Sequence, residues 1–291
     1  MLSGPTRDAL AAAGLDVASV ADLARRTLEE DLGGGVDVTS VATIPFDQEG
    51  TAAFVARQPG VVAGIAVAMA CLDTAADDDL VYELVRGDGP VAAGEAVLRV
   101  RGLTRALLTG ERSALNLLCH LSGVATLTAR WVEAVEGTGA RIRDTRKTTP
   151  GLRALEKAAV VVGGGLNHRM SLSDAALVKD NHVVAAGGVT AAFEAVRREF
   201  PGLEVEVECD RVDQVKEVVE AGADLVLLDN MTLEEMREAV ALCAPRGVRT
   251  EASGGLTLDR ARPVAETGVD YLSVGGLTHS APVLDLGMDL L

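Results

Sequence analysis

From about residue 139 onward the chain alternates short apolar runs with amphipathic ones, and this regularity leaves few folds open. Strand-like runs fall at residues 141–144, 175–179, 204–208, 224–229, 249–252 and 271–274, and helical periodicity fills 190–200, 213–221, 233–242 and 258–267. Strand, helix, strand at this spacing predicts parallel strands joined by crossover helices. Six strands are fewer than the eight of a full β/α barrel, and a further one is expected near residues 166–170.

The polar residues fall where such a fold does its chemistry. Arg146 and Lys147 follow the first strand; Lys179, Glu208, Asp229, Ser253 with Gly254-Gly255, and Gly275-Gly276 follow the others. The carboxyl ends of barrel strands meet at one mouth, so these groups are expected to converge. Glycine pairs after the last two strands let backbone N–H groups approach a phosphate. Glu208 either leaves its strand as an ordinary surface charge or, with Asp229, offers the oxygen ligands that suit Mg²⁺.

Charge sharpens this picture. The chain carries a net charge of -16, yet residues 141–180 hold eight Arg and Lys against four Asp and Glu, including three of the four lysines: Lys147, Lys157 and Lys179. Crowded cations lose hydration and repel, so the clusters Arg143/Arg146/Lys147 and His168/Arg169 either form a solvated basic face or await an anion of more than one charge. Lys179, closing the apolar run AALVKDN, pairs with Asp180, points to solvent or serves that anion. Asn167 and Arg169 beside His168, after three glycines, favour a binding loop there. His279 either donates to phosphate or caps; His120 and His182 read as structural.

The first hundred residues read as a small α+β domain. A helix is expected at 20–31, closed by Gly33-Gly34-Gly35, then strands at 51–57, 80–86 and 96–102 with a helix at 65–76. Residues 61–72, the longest smooth apolar stretch, read as a buried helix too short for a bilayer. Helical periodicity dominates 104–136, with a break expected at Ser122-Gly123 and Arg112 beside Glu111 on its surface. An acidic chain of pI near 4.7 argues against nucleic acid as partner. Four cysteines without CxxC spacing read as buried thiols of a reducing cytoplasm, and no signal peptide is visible.

The segments ERSALN, DTRKTTPGLR, GGGLNHR, LVKDNH, VECD, LLDN, SGG and VGGLTHS, together with EDLGGGVDVTS near the start, resemble the quinolinate phosphoribosyltransferase family in order and spacing. The resemblance implies an α/β protein with an N-terminal α+β open sandwich (residues 1–110) and an incomplete, seven-stranded α/β barrel (111–291), the C-terminal tail packing back on the first domain. It implies a homodimer, open to further assembly, in which each N-terminal domain closes the partner's barrel. Quinolinate would be held by Arg112 of the neighbouring subunit with Arg146, His168, Arg169 and Lys179. Phosphoribosyl pyrophosphate would be held by Thr145, Lys147, Glu208 and Asp229 with Mg²⁺, and by Ser253, Gly254, Gly255, Gly275 and Gly276. Lys179, Glu208 and Asp229 are then the expected catalytic groups, and Glu208 and Asp229 the metal ligands. Ala252 departs from the family's pattern, where a serine commonly precedes Ser253.

Three other readings use the same residues. A paralogous phosphoribosyltransferase with another anionic acceptor would want fewer cations. A Schiff-base aldolase on Lys179 has no use for so many arginines. A non-catalytic anion binder leaves the strand-end carboxylates without a purpose.

Overall fold

The structure, a computed structural model, describes residues 1–76 and 80–291, which divide into two compact units. The first comprises Met1–Leu127, Ala154–Gly163 and Ser280–Leu291; the second comprises Thr128–Arg153 and Gly164–His279.

The first unit is built on an antiparallel sheet. In chain order its elements are α1 (Gly4–Ala12), α2 (Val17–Leu32), α3 (Val38–Thr43), β1 (Glu49–Ala56), β2 (Gly60–Val62), α4 (Ile65–Ala75), β3 (Val81–Leu84), β4 (Gly89–Val91), β5 (Ala96–Leu103) and α5 (Thr104–Ala134), whose residues from Thr128 on belong to the second unit. Sheet order is β12-β1-β5-β3, the final strand β12 (Leu286–Leu290) pairing Leu290 with Ala52 and Leu286 with Ala56. Phe54 and Leu98, fully buried and in register, lie at its centre. Val20, Ala24 and Leu28, spaced four residues apart, make a stripe that buries one face of α2, which packs on the almost wholly buried α4. Asp16 caps the start of α2 by accepting from the Ser19 N–H, and Gly33 ends the helix in the left-handed conformation that glycine adopts without strain.

Residues 104–134 form one unbroken helix, correcting the expected break at Ser122-Gly123. Both residues are there for close packing. The Ser122 hydroxyl accepts from Ala63 N–H at 3.1 Å and donates to the Ala63 carbonyl at 3.3 Å. At Gly123 a side chain would run into the Pro282 carbonyl oxygen and come within 2.9 Å of Val283 Cα, because the segment leading to β12 crosses the helix there. The residues 61–72 likewise divide into β2, a glycine turn and the start of α4.

The second unit alternates as expected: β6 (Arg141–Arg143), β7 (Ala176–Val178), α7 (Asp180–Ala186), α8 (Val189–Glu199), β8 (Val205–Cys209), α9 (Val212–Glu220), β9 (Leu225–Asp229), α10 (Leu233–Cys243), β10 (Arg249–Ser253), α11 (Leu258–Ala265), β11 (Tyr271–Ser273) and α12 (Gly276–His279). The intervening α6 (Arg153–Val162) belongs chiefly to the first unit. Six parallel strands pair in the order β6-β11-β10-β9-β8-β7. Where a seventh is expected, Leu166 alone bridges to β6: its N–H donates to Ile142 O at 2.8 Å and its carbonyl accepts from Asp144 N at 3.0 Å. Strand side chains alternate between faces. One face, carrying Ile142, Val207, Val226, Leu228, Ala252 and Leu272, is buried and apolar; the other carries Glu206, Glu208, Asp229, Glu251, Ser253 and Ser273.

Gly123→Ala tests the tail crossing. Alanine is the better helix former by about 1 kcal/mol, so a free helix would gain. Overpacking against the Pro282 backbone instead predicts a net loss of about 1–3 kcal/mol, read as a lower thermal unfolding midpoint.

Candidate active site

The carboxyl ends of the six strands carry the polar residues. Glu208 is in register with Leu227, and Asp229 with Ser253, so Glu208, Asp229 and Ser253 share the polar face at successive levels. The Lys179 Nζ lies 3.5 Å from Glu208 Oε2, with 48% of the lysine side chain exposed. Its backbone N–H donates to His182 Nδ1 at 2.9 Å, a cap that gives His182 the structural part expected of it.

Asp229 is held by its neighbour. Asn230, with φ of 55°, is the one non-glycine residue in the left-handed region among the described residues. Its side-chain amide donates to Asp229 Oδ2 at 2.7 Å and its backbone N–H to Ser253 O at 3.0 Å. Any side chain at Gly254, itself at φ +88°, would collide with that amide. The pair LLDN and SGG therefore interlock and fix one carboxylate oxygen, a role for Asn230 that its position after an apolar run did not announce.

The loop after β6 is fixed from the other side. Lys147 N–H donates to Thr145 Oγ1 at 3.0 Å, and the Thr278 hydroxyl donates to Lys147 O at 2.7 Å. A side chain placed on Gly275 would stand 3.0 Å from Lys147 Cδ, 3.3 Å from His279 Nε2 and 3.5 Å from Thr145 Oγ1. Three side chains with donor groups thus converge on a glycine whose backbone is open to close approach.

The remaining cations separate into two groups. Arg146 has a buried Nε with no hydrogen-bond partner. Arg169 donates from Nη1 to Ala175 O at 2.9 Å, and its guanidinium is pushed below its ordinary pKa by burial first and by the Arg146 charge second. These two guanidinium groups repel each other across a partly dry site. Arg143 and Lys157 do not join them, which corrects the grouping by sequence. Lys157 is fully buried on α6, and Arg143 turns inside the sheet. Arg112 is exposed on α5, in the first unit.

Inside the second unit lies a buried ionic network. Arg143 Nη1 donates to Glu251 Oε2 at 2.6 Å and its guanidinium stacks 4.5 Å from the Tyr271 ring centre. Ser273 Oγ donates to Glu251 Oε1. His168 Nε2 lies 2.6 Å from Glu206 Oε2 and 3.6 Å from Glu251 Oε1. Burial pushes the Glu206 carboxyl up to about 7 and raises Glu251 too. The ligand atoms of His168, Glu206 and Glu251 lie within 4.8 Å of one another, a separation a metal ion would accept. Arg143, however, already supplies positive charge to Glu251, and His168 meets Glu206 Oε2, while Glu206 Oε1 is buried without a hydrogen-bond partner. None of Arg143, Glu206, Glu251 or Ser273 was singled out from the sequence as a partner of His168; the signal was the alternation in EVEVECD, which places Glu206 two residues below Glu208 on one face. A cavity of about 250 Å³ opens beside this network, lined by Arg143, His168, Arg169, Asp174, Glu204 and Glu206 among others.

Comparison with known proteins decides the lineage. Residues 37–122 match the N-terminal domain of quinolinate phosphoribosyl transferase, and residues 124–289 match its C-terminal domain. The nicotinate-nucleotide pyrophosphorylase [carboxylating] of Mycobacterium leprae is 49% identical over 92% of this chain and 96% of its own. The chain belongs to the quinolinate phosphoribosyltransferase family. A probable nicotinate-nucleotide pyrophosphorylase of Bacillus subtilis is 41% identical over 90% of each chain. The solved nicotinate-nucleotide pyrophosphorylase of Francisella tularensis superposes with a TM-score of 0.90 at 33% identity, covering 95% of this chain and 98% of that one.

As a quinolinate phosphoribosyltransferase the chain is an enzyme of pyridine nucleotide synthesis, and its one noted departure from the family is benign. Ala252 is fully buried and alternates with Glu251 and Ser253, so its side chain lies on the apolar face and takes nothing from the mouth. Among the described residues no helix is long and apolar enough to cross a membrane. Relatives from rice and Arabidopsis are named chloroplastic, and one from Nicotiana glauca mitochondrial.

Arg143→Met should leave two buried carboxyls without their cation and cost about 3–5 kcal/mol in denaturant unfolding at pH 8. The loss should shrink as pH falls, because protonation removes the uncompensated charge. In the wild type Glu206, raised from 4.5 to about 7, favours the protonated folded state, so its contribution is present at low pH and fades as pH rises through about 7.

Proposed function

We propose that this enzyme transfers the phosphoribosyl group of phosphoribosyl pyrophosphate to the nitrogen of quinolinate and releases pyrophosphate and carbon dioxide, giving nicotinate mononucleotide. The observation that carries the reading is the Arg146 charge acting on the partly buried Arg169, with Arg146 Nε buried and lacking a hydrogen-bond partner, close to a mouth that also bears Lys179, two carboxylates and the glycine pairs. Quinolinate has two adjacent carboxylates, and guanidinium forks with an ammonium neutralise both while fixing the ring plane. Arg146, Arg169 and Lys179 form this pocket with His168 at its border. Arg112, exposed on its own subunit's helix, completes the pocket from the partner of a homodimer.

The other substrate takes the rest of the mouth. Thr145 and Lys147 meet its pyrophosphate, and Ser253, Gly254, Gly255, Gly275 and Gly276 meet its 5-phosphate through hydroxyl and backbone N–H groups. Glu208 and Asp229 offer only oxygen, are partly exposed and share a face, a donor set that fits Mg²⁺ better than the buried histidine-containing network does. When bound to these residues and to substrate, Mg²⁺ supplies charge neutralisation for the departing pyrophosphate.

The chain's own groups do the rest. Lys147 stabilises the charge that develops on the leaving group, and Glu208 and Asp229 stabilise the positive ribose. Nitrogen alkylation makes the ring cationic, so loss of the 2-carboxylate as carbon dioxide leaves a carbanion that the ring itself stabilises until a proton from solvent completes nicotinate mononucleotide. Positioning, with no covalent nucleophile, is what the protein contributes. A Schiff-base reading of Lys179 is disfavoured, since its side chain is half exposed and ion-paired with Glu208 where such a nucleophile wants an apolar setting. Free cysteines, three of them buried, support work in a reducing cytoplasm.

Carbon dioxide release from quinolinate, dependent on both phosphoribosyl pyrophosphate and Mg²⁺, tests the reaction; no release under saturating conditions refutes it. Lys179→Ala and Arg146→Ala should each weaken quinolinate binding about ten- to a hundredfold, measured by calorimetry. For the shared site, mixing Arg112→Ala with Lys179→Ala subunits should regenerate one intact site per tagged heterodimer, with about half of wild-type activity. Heterodimers as inactive as either parent would return Arg112 to its own subunit.

A further inference from the structure

His168 sits where a substrate ligand is expected, yet its ring is already engaged on both sides. Nδ1 accepts the backbone N–H of Arg169 at 2.7 Å, so that nitrogen carries no proton. The proton of the neutral ring is then on Nε2, aimed at Glu206 Oε2 at 2.6 Å. The His168 side chain is 9% exposed and Glu206 is 3% exposed. The backbone N–H of His168 donates to Asp144 Oδ1 at 2.8 Å. The turn bearing Arg169 is thereby tied at one end to the residue after β6 and, through the imidazole, to the middle of β8.

We propose that Glu206 is a positioning residue for the acceptor pocket: by accepting the Nε2 proton it fixes the His168 tautomer whose Nδ1 holds the Arg169 backbone, and so aims the Arg169 guanidinium. The inference rests on the proposed quinolinate reading for its consequence, though not for its geometry. The alternative tautomer would turn a donor toward the Arg169 N–H, setting two donors face to face and opening the turn. Glu251 backs the arrangement. Its Oε1 stands 3.6 Å from Nε2, beyond hydrogen-bond range, while its own oxygens take Arg143 and Ser273, so it keeps the imidazole facing Glu206. Glu206 does not reach the reacting atoms in this scheme. Its effect passes through His168 to a side chain that does.

Only four histidines are present, so imidazole nitrogen resonances of the ligand-free enzyme can be assigned with a His168→Asn control. The wild type should show His168 protonated on Nε2 and bare on Nδ1; a proton on Nδ1 overturns the proposal whatever the variants do. Glu206→Leu should lose this signature and raise the quinolinate KM about ten- to a hundredfold, with the KM for phosphoribosyl pyrophosphate little changed. Glu206→Gln, whose amide oxygen still accepts from Nε2, should keep the tautomer and most of the quinolinate affinity. A folded Glu206→Leu enzyme with an unaltered quinolinate KM, or a Gln variant that keeps the tautomer yet binds as poorly as Leu, refutes the positioning role. Should Glu206→Leu not fold, the wild-type resonances and the Gln variant decide. A wild type that does not turn over quinolinate refutes the proposed function instead, and the tautomer then decides this inference alone.

Discussion

Two carboxyl groups buried a few ångströms apart are the constraint around which the second unit is arranged. Glu206 and Glu251 both face inward from parallel strands, and neither can be left charged and unpartnered in a dry interior. Arg143 answers Glu251 directly, from β6 on the far side of β11. His168 answers the other. Because each partner comes from a different strand or loop, the electrostatic requirement fixes the relative placement of β6, β8, β10 and β11 as firmly as backbone pairing does. Two elements of the mouth, the turn at Arg169 and the loop after β6, start from residues that this network holds.

The contrast between the two layers of acidic residues on β8 explains a division of labour. Glu206 lies below, buried and answered by the protein. Glu208 lies two residues above it, partly exposed, near a lysine at 3.5 Å, and available to something that arrives from outside. The same strand thus ties one oxygen of its lower carboxylate to His168 inside the protein and leaves the upper carboxylate only lightly paired. A similar pairing of fixed and available oxygens occurs on Asp229, where the Asn230 amide occupies Oδ2.

Much of this was legible in the sequence because the strand-helix alternation after residue 139 is regular and its strands end in chemistry. All six strands lie where periodicity put them, to within a residue or two at each end. What could not be read were contacts that depend on direction. Ser122-Gly123 has the composition of a helix break, and only the crossing tail shows that a small residue is needed for clearance. Arg143 stands in the same basic run as Arg146, but alternation along β6 sends it inward. Lys157 has the same charge as Lys147, yet it belongs to a different unit. Neighbouring charges in a sequence say little about a shared pocket when a strand end or a helix start falls between them.

The sheet of the first unit has an unusual order of assembly built into it. Its first strand pairs residue 52 with residue 290, across the whole of the second unit in the chain. Contacts so distant in sequence are late and entropically costly to close. On the ribosome, β1 and β5 emerge early with one edge uncovered, and that edge stays open until residues 286–290 are made. The protein therefore spends its synthesis with a pairing-competent strand edge exposed, and a chain released early would carry that edge, with nothing to close it, into a crowded cell.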